Sequence, residues 1–240
     1  MKNVIIFQDW IREKTYGHDW KQDELFAYFK AQIDNSIRLG WKPEDIIIGT
    51  NLDFSYKEVT VIKLNDICQY NKYFNKQYGI AELLSNNLIT DNFWFHDFDD
   101  WQLVPFTFPE FKGDIGVCKY INNSQWNTGS IFVKLSSKDI WELIVAFMKE
   151  NDGHPELLQT GDENIFNFIY KNYSEIQSRF TQLNNTYNVG VTQFKMRLDT
   201  AELPIKIGAF KPGSEGYNIF LDNKLIPNEL NEIFKIHKLI

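Results

Sequence analysis

The sequence predicts an α/β fold in which early parallel strands form a sheet with helices packed on it. Three observations carry this reading: an apolar run at Val4-Ile5-Ile6-Phe7, a helical pattern over residues 23–39, and a second apolar run at Ile46-Ile47-Ile48. Short apolar runs bounded by polar residues are the mark of strands covered on both faces, and strand, helix, strand in this length is a βαβ unit.

Each element has its own local reason. Leu25, Phe29, Ile33 and Ile37 recur at helical spacing and stop at Gly40, a natural helix terminator. Lys42-Pro43-Glu44-Asp45 turns the chain into the second strand, which ends in Gly49-Thr50-Asn51, and Val59-Thr60-Val61-Ile62 reads as a third. A short helical pattern over residues 79–88 precedes an aromatic strand starting at Phe93. Ile115-Gly116-Val117-Cys118 and Ser130-Ile131-Phe132-Val133 are further strands, separated by the polar stretch 122–129. Ser136 with Asp139 fits a capping box opening a helix through Ile140, Trp141, Ile144, Val145 and Met148, and Thr160 with Glu163 fits another before Ile165, Phe166, Ile169 and Tyr170. The last third is less regular, with strands expected near 187–194 and 205–207 and a closing helix after Pro227. No repeat, low-complexity tract or flexible linker interrupts the chain, so residues 1–240 read as one domain.

Composition sets limits on function. A formal charge of -7 and a pI of about 5.2 argue against a protein that coats nucleic acid. No apolar stretch has the length of a membrane span, and the apolar part of the N-terminus is too short for a secretory signal, so a cytoplasmic location is expected. Cys68 and Cys118 are too few and too far apart for a disulfide framework or a zinc site. Aromatic residues make up 16% of the chain, enough to fill a core or to line a cleft for flat ligands. The bias toward Asn, Lys, Ile and Phe is that of an AT-rich genome, and is compatible with a viral source.

Chemistry concentrates at Phe93-Trp94-Phe95-His96-Asp97-Phe98-Asp99-Asp100-Trp101, where an apolar strand ends in three carboxylates. Like charges crowded together call for something positive, and hard carboxylate oxygens suit a divalent ion. In an extended segment Asp97 and Asp99 would point the same way while Phe98 turned into the protein. His96 reads as a strand-end residue held by hydrogen bonds rather than as a ligand.

Three patterns in this order resemble the GT-A class of nucleotide-sugar glycosyltransferases, in particular its glycogenin-like and galactosyltransferase-like members. Asp97-Phe98-Asp99 looks like the D-x-D signature, Asn127-Thr128-Gly129 like the N-[ST]-G element before the next core strand, and Gly161-Asp162-Glu163-Asn164-Ile165-Phe166-Asn167 like the G-D-[QE]-x-x-x-N helix start. The resemblance implies a mixed, mostly parallel twisted sheet flanked by helices, and a metal-dependent transfer of a sugar from a nucleotide-diphosphate donor to a hydroxyl acceptor, with retention. It implies Mn²⁺ or Mg²⁺ on Asp99 and Asp97, with Asp100 in reserve and Asp97 also near the ribose. Gln8, Asp9, Trp10, Asn51 and Asp53, after the first two strands, would face base and ribose, with Asn127 and Gly129 also against the donor. That placement agrees with the rule that open α/β sheets bind ligands beyond the carboxyl ends of their strands. Asp162 and Glu163 would lie beneath the anomeric carbon, although acidic residues in a first helical turn also stabilise the helix dipole without any catalytic role.

One segment departs from the class. Ile205-Lys206-Ile207-Gly208-Ala209-Phe210-Lys211-Pro212 keeps the glycine, lysine and proline of a C-terminal H-[FY]-x-G-x-x-K-P element but has isoleucine in place of the metal-binding histidine. Lys211 would still reach a diphosphate. The third ligand would then be water or another side chain such as His154, unless the segment aligns differently. A nucleotidyltransferase is disfavoured because residues 8–14 hold no glycine, and a binding protein of the same fold is the alternative from another functional class. The acceptor, whether glycan, protein or modified nucleic acid base, is not written in the sequence.

Overall fold

The computed structural model describes residues 1–9, 21–68, 71–151 and 161–240. The first half holds β1 (Lys2–Phe7), α1 (Gln22–Arg38), β2 (Ile46–Thr50), β3 (Thr60–Lys63), α2 (Asn75–Ser85), β4 (Phe93–His96), β5 (Asp100–Gln102) and β6 (Ile115–Lys119). After these come β7 (Trp126–Val133), α3 (Lys138–Glu150), α4 (Asp162–Asn172), α5 (Ser174–Gln177), β8 (Phe180–Gln182), β9 (Val189–Gly190), α6 (Phe194–Thr200), β10 (Ile207–Ala209), α7 (Glu215–Asp222) and α8 (Asn228–Ile236).

Seven strands form the main sheet in the order β3-β2-β1-β4-β7-β6-β8, and β5-β10-β9 form a small second sheet. β3, β2, β1 and β4 are parallel neighbours, β7 runs against both β4 and β6, and β8 is parallel to β6. The sheet is therefore mixed and mostly parallel, as the resemblance implied. Along β1 the side chains alternate as the pleat requires: Val4 and Ile6 join the core beneath α2 and α3, while Ile5 meets Leu25, Phe29 and Ile33 of α1. Each such fully buried side chain contributes about 1.5–3 kcal/mol. Gly40 ends the α1 region at φ +95°, where a side chain would be strained. A separate cluster of Trp101, Phe210, Phe220, Leu230 and Phe234 joins the small sheet to the C-terminal helices.

Several local expectations give way to tertiary contacts. α2 begins at Asn75 rather than Gly79, and β7 begins at Trp126 because the β6–β7 hairpin pairs Lys119 with Trp126. The polar stretch thus supplies Asn127, Thr128 and Gly129 to a strand, since a sheet requires backbone pairing and tolerates buried polar side chains that find partners. Near 187–194 only Val189–Gly190 is strand, and a helix opens at Phe194. The box at Ser136 and Asp139 does not form, because Ser136 Oγ donates to Asp114 Oδ1 at 2.5 Å and Asp139 accepts from Arg179 Nη2 at 2.8 Å. The second box also fails to form: Gly161 is the N-cap of α4 without a side-chain bond, and the Glu163 carboxylate is engaged elsewhere, while Thr160 lies outside the described residues.

Arg179 holds the far edge of the sheet. Its Nε donates to Asp114 Oδ2 at 2.6 Å, its carbonyl accepts from Asp114 N and Ile115 N, and Gly113 is required there because a Cβ would lie 2.3 Å from that carbonyl oxygen. Burial favours the neutral form of Asp114, but Ser136 and Arg179 together hold its carboxyl below the usual range, and Arg179 does the same for Asp139. A depressed carboxyl stabilises the fold above its unfolded value of about 3.9, and that stabilisation is lost as pH falls through the folded value. Because Asp139 is largely exposed, Arg179→Ala is expected to cost only about 1–2 kcal/mol at pH 7. Urea unfolding should show the gap between variant and parent shrinking below about pH 4, and a gap independent of pH would remove the clamp as its cause.

Candidate active site

β1 and β4 run side by side, so the chain segments leaving them open into one cleft. The acidic residues do not continue the strand: Asp100 N donates to Asp97 O at 3.2 Å, so residues 97–100 form a turn. Ligand oxygens of Asp97, Asp99 and Asp100 lie within 4.8 Å of one another, the one grouping of metal-ligating side chains found among the described residues. The turn, rather than the alternation of an extended segment, brings the first two together and adds Asp100. Phe98 does turn inward, onto Phe7 at 5.3 Å and Phe29 at 5.1 Å between ring centroids.

A lysine not singled out in the sequence joins this group. Lys76 on α2 is buried, with Nζ 2.7 Å from Asp97 Oδ2, 2.9 Å from Asp162 Oδ2 and 3.3 Å from the Thr128 carbonyl. Thr128 Oγ1 also donates to Asp162 Oδ2. Burial opposes a charge on Lys76, but Asp162 and Asp97 outweigh it and hold the ammonium protonated. The carboxyls remain short of positive charge. Burial, assisted by Asp162 and Asp99, pushes Asp97 up to about 7 against the pull of Lys76, and burial raises Asp100 well above its ordinary value. Asp99, open to solvent at the tip of the turn, is raised too, first by the protein walls around it.

Gly129 belongs to the same construction. A Cβ there would lie 2.4 Å from Asp100 Oδ2, while the Gly129 carbonyl accepts from Asp97 N at 2.8 Å and its N–H donates to Asn127 Oδ1 at 3.0 Å. Glu163, at the start of α4, accepts from the Tyr120 hydroxyl at 2.9 Å, and its carboxyl is raised first by burial and then by Asp162. The segment carrying Lys211 is docked directly on the acidic turn, with Phe210 N donating to Asp99 O at 2.7 Å. Ile205 is buried in the C-terminal core, so no ligand comes from its position. His96 is fully buried, 2.9 Å from Asn3 Oδ1, and burial lowers it to about 4, in keeping with a held strand-end residue.

Two adjoining cavities meet at Lys76, Asp97, Asp99, Asp162 and Lys211. The larger, about 490 Å³, extends along the end of β1 past Gln8, Tyr28, Lys72 and Tyr73. The smaller, about 380 Å³, extends toward Tyr120, Glu163, Gly190 and Arg197. Gln8 is fully buried, donating Nε2 to Asp66 O at 2.8 Å and leaving Oε1 without a partner. Asp9 pairs with Lys72 at 3.1 Å, and Asn51 spends its whole amide on the Asp9 backbone. Asp53 is not brought to the cleft, since its side chain is fully exposed beside Lys63. Trp10 and His154 lie outside the described residues.

An open mixed α/β sheet with an acidic turn after its fourth strand is the GT-A architecture, and solved structures bear this out. LgtC, as an active-site mutant, matches at TM-score 0.61 with 14% identity over 97% of this chain and all of that one. Galactosyltransferase LgtC with donor and acceptor sugar analogues matches at 0.59 and 12% identity, over 97% and 100% of the two chains. A glycosyltransferase involved in glycosylation of the major capsid of PBCV-1 matches at 0.53 and 10% identity, over 87% and 93%. No family model and no curated protein matches the sequence. The chain has the GT-A glycosyltransferase fold, and the likeness is one of fold.

Lys76 is the buried counter-charge of both Asp97 and Asp162. Lys76→Met leaves both uncompensated and is expected to cost about 3–5 kcal/mol in the presence of chelator. Chemical unfolding measures this, and a loss below about 1 kcal/mol would show that Lys76 is dispensable to the group.

Proposed function

We propose that this chain is a metal-dependent glycosyltransferase, moving a sugar from a nucleotide-diphosphate donor to a hydroxyl acceptor with retention. The observation that carries the proposal is the turn holding Asp97, Asp99 and Asp100, whose carboxyls are crowded, raised and incompletely paired at the junction of two cavities. Asp100 Oδ1 is buried without a partner, which is what a missing cation would leave. Only oxygen donors are offered, so Mn²⁺ or Mg²⁺ fits and zinc does not. Asp99, Asp100 and the oxygen of Asp97 not spent on Lys76 would hold the ion, and Asp100 would take the place of the histidine that this chain lacks. Bound there, the ion stabilises negative charge on the departing diphosphate.

The remaining roles fall to side chains in place. Gln8 Oε1, unpartnered at the inner end of the larger cavity, would accept an N–H from the base. Lys211 lines both cavities, where an ammonium meets the diphosphate as a point charge. Gly129 supports the site from below by accepting from Asp97 N, and Asn127 supports it at one remove by accepting from Gly129 N. Asp162 Oδ2 is taken by Lys76 and by the Thr128 hydroxyl, which leaves that oxygen poorly placed to act as a base. Glu163, held by Tyr120, would stabilise positive charge as the glycosidic bond loosens, while the departing diphosphate takes the proton of the acceptor hydroxyl.

Thermal shift with UDP and GDP, each with and without Mn²⁺, tests the donor site directly, and release of nucleoside diphosphate tests turnover. Asp99→Asn should fold normally and lose metal-dependent turnover by about two orders of magnitude or more; retained activity with an unaltered Mn²⁺ response would remove the metal assignment. The product anomer, read by NMR, should keep the donor configuration. An inverted product would overturn retention and make Glu163 the base.

A further inference from the structure

Arg197 lines the smaller cavity with no carboxylate partner among the described residues. It is fully buried, and among the described residues it makes no ion pair. Its Nη1 donates to the Asn188 carbonyl at 3.1 Å and to Asn188 Oδ1 at 3.0 Å, while the guanidinium lies over the Tyr120 ring at 4.4 Å from the centroid. Those contacts fix the plane of the group. Nε and Nη2 are left with no hydrogen-bond partner. These two nitrogens form one edge of the guanidinium, the edge whose N–H bonds run parallel and match two oxygens of a carboxylate or phosphate.

A buried fork of this kind is costly to leave unmade, and its side chain lines the smaller cavity. Gly190 lines the same cavity, and a Cβ at that position would lie 3.2 Å from Arg197 Nη1. Of the carboxylates facing the cavity, Asp97 and Asp162 pair with Lys76 and Glu163 with the Tyr120 hydroxyl, and among the described residues none forms an ion pair with Arg197. Sugar hydroxyls could accept from the fork without neutralising its charge, whereas a carboxylate or phosphate does both. Arg197, Tyr120 and Gly190 line only the smaller cavity, away from Gln8 and the rest of the donor half.

We infer that Arg197 selects the acceptor, and that the acceptor is an acidic sugar whose carboxylate or phosphate is gripped bidentately by Nε and Nη2. The inference rests on the glycosyltransferase reading, in which the larger cavity takes the donor and the smaller one the acceptor. Arg197 acts by binding, and Asn188 and Tyr120 are the groups that aim it.

Calorimetry on the full chain with Mn²⁺ and UDP separates the possibilities, using methyl β-D-glucuronide as carboxylate probe, glucose 6-phosphate as phosphate probe and methyl β-D-glucoside as neutral control. The wild type should bind one acidic probe at least ten-fold more tightly than the neutral glycoside, and the tighter of the two names the source of the oxyanion. Arg197→Lys, which keeps charge and loses the fork, should erase that preference, by more than it changes UDP affinity. Equal binding of all three sugars by the wild type overturns the inference even if the variant fails to fold. A loss of UDP affinity in Arg197→Lys as large as the loss for the acidic sugar also overturns it, by assigning the fork to the diphosphate. If UDP with Mn²⁺ does not bind the wild type at all, the transferase reading fails instead, and the order of the three sugars without nucleotide still reports on the fork.

Discussion

The cleft depends on one buried ammonium. Lys76 reaches from α2 to Asp97 after β4, to Asp162 at the start of α4 and to the Thr128 carbonyl in β7, so a single charge ties together pieces distant in sequence. A buried pair of opposite charges is weak evidence of stability, because desolvation offsets much of the attraction. Its larger effect is on geometry. With the ammonium fixed, Asp97 cannot swing its Oδ2 into the cleft, Asp162 is held in place, and the remaining carboxylates of the turn face one another with too little positive charge among them.

Around that point the backbone does as much as the side chains. Gly129 leaves space for Asp100, accepts from Asp97 N and donates to Asn127, which accepts in turn from Asn188 Nδ2 at 2.8 Å. Asn188 then orients Arg197. The bonds run without a break from the acidic turn to the guanidinium, crossing from the main sheet to the small one. On the other side of the turn, the Asp99 carbonyl anchors Phe210 and so sets the position of Lys211. Both basic groups flanking the turn are therefore placed by bonds to it or to its immediate neighbours. A shift in the turn would move them together.

The legible parts of the sequence were those whose signal is local. Apolar runs at 4–7 and 46–48 and the spacing of Leu25, Phe29 and Ile33 report burial residue by residue, and they gave strands and a helix where expected. Three short patterns disclosed the fold, and Asp97, Asp99, Asn127, Gly129, Asp162, Glu163 and Lys211 do meet at one cleft. What was not legible depended on partners far along the chain. Lys76 has no acidic residue within five positions to mark it, and Arg197 sits in a stretch without clear periodicity. The capping boxes failed because Arg179 and Tyr120 compete for the same side chains, which a local motif cannot register. Asp53 was placed by its distance after a strand, and one exposed turn carried it away.

The division of the cleft follows from charge and shape together. The half along β1 offers a buried amide oxygen and aromatic walls, Tyr28 and Phe7 among them, the surroundings that hold a flat base. Its opposite half offers a guanidinium edge, a tyrosine and a carboxylate, which suit a polar ligand that must be oriented rather than stacked. Between them several carboxylates, the Lys76 ammonium and Lys211 converge. A reaction that separates negative charge from a sugar needs its electrostatic machinery at the bond that breaks, with the leaving fragment on one side and the attacking one on the other. In the transfer proposed above, the diphosphate-bearing junction would lie at that convergence, where the carboxylates are raised and crowded.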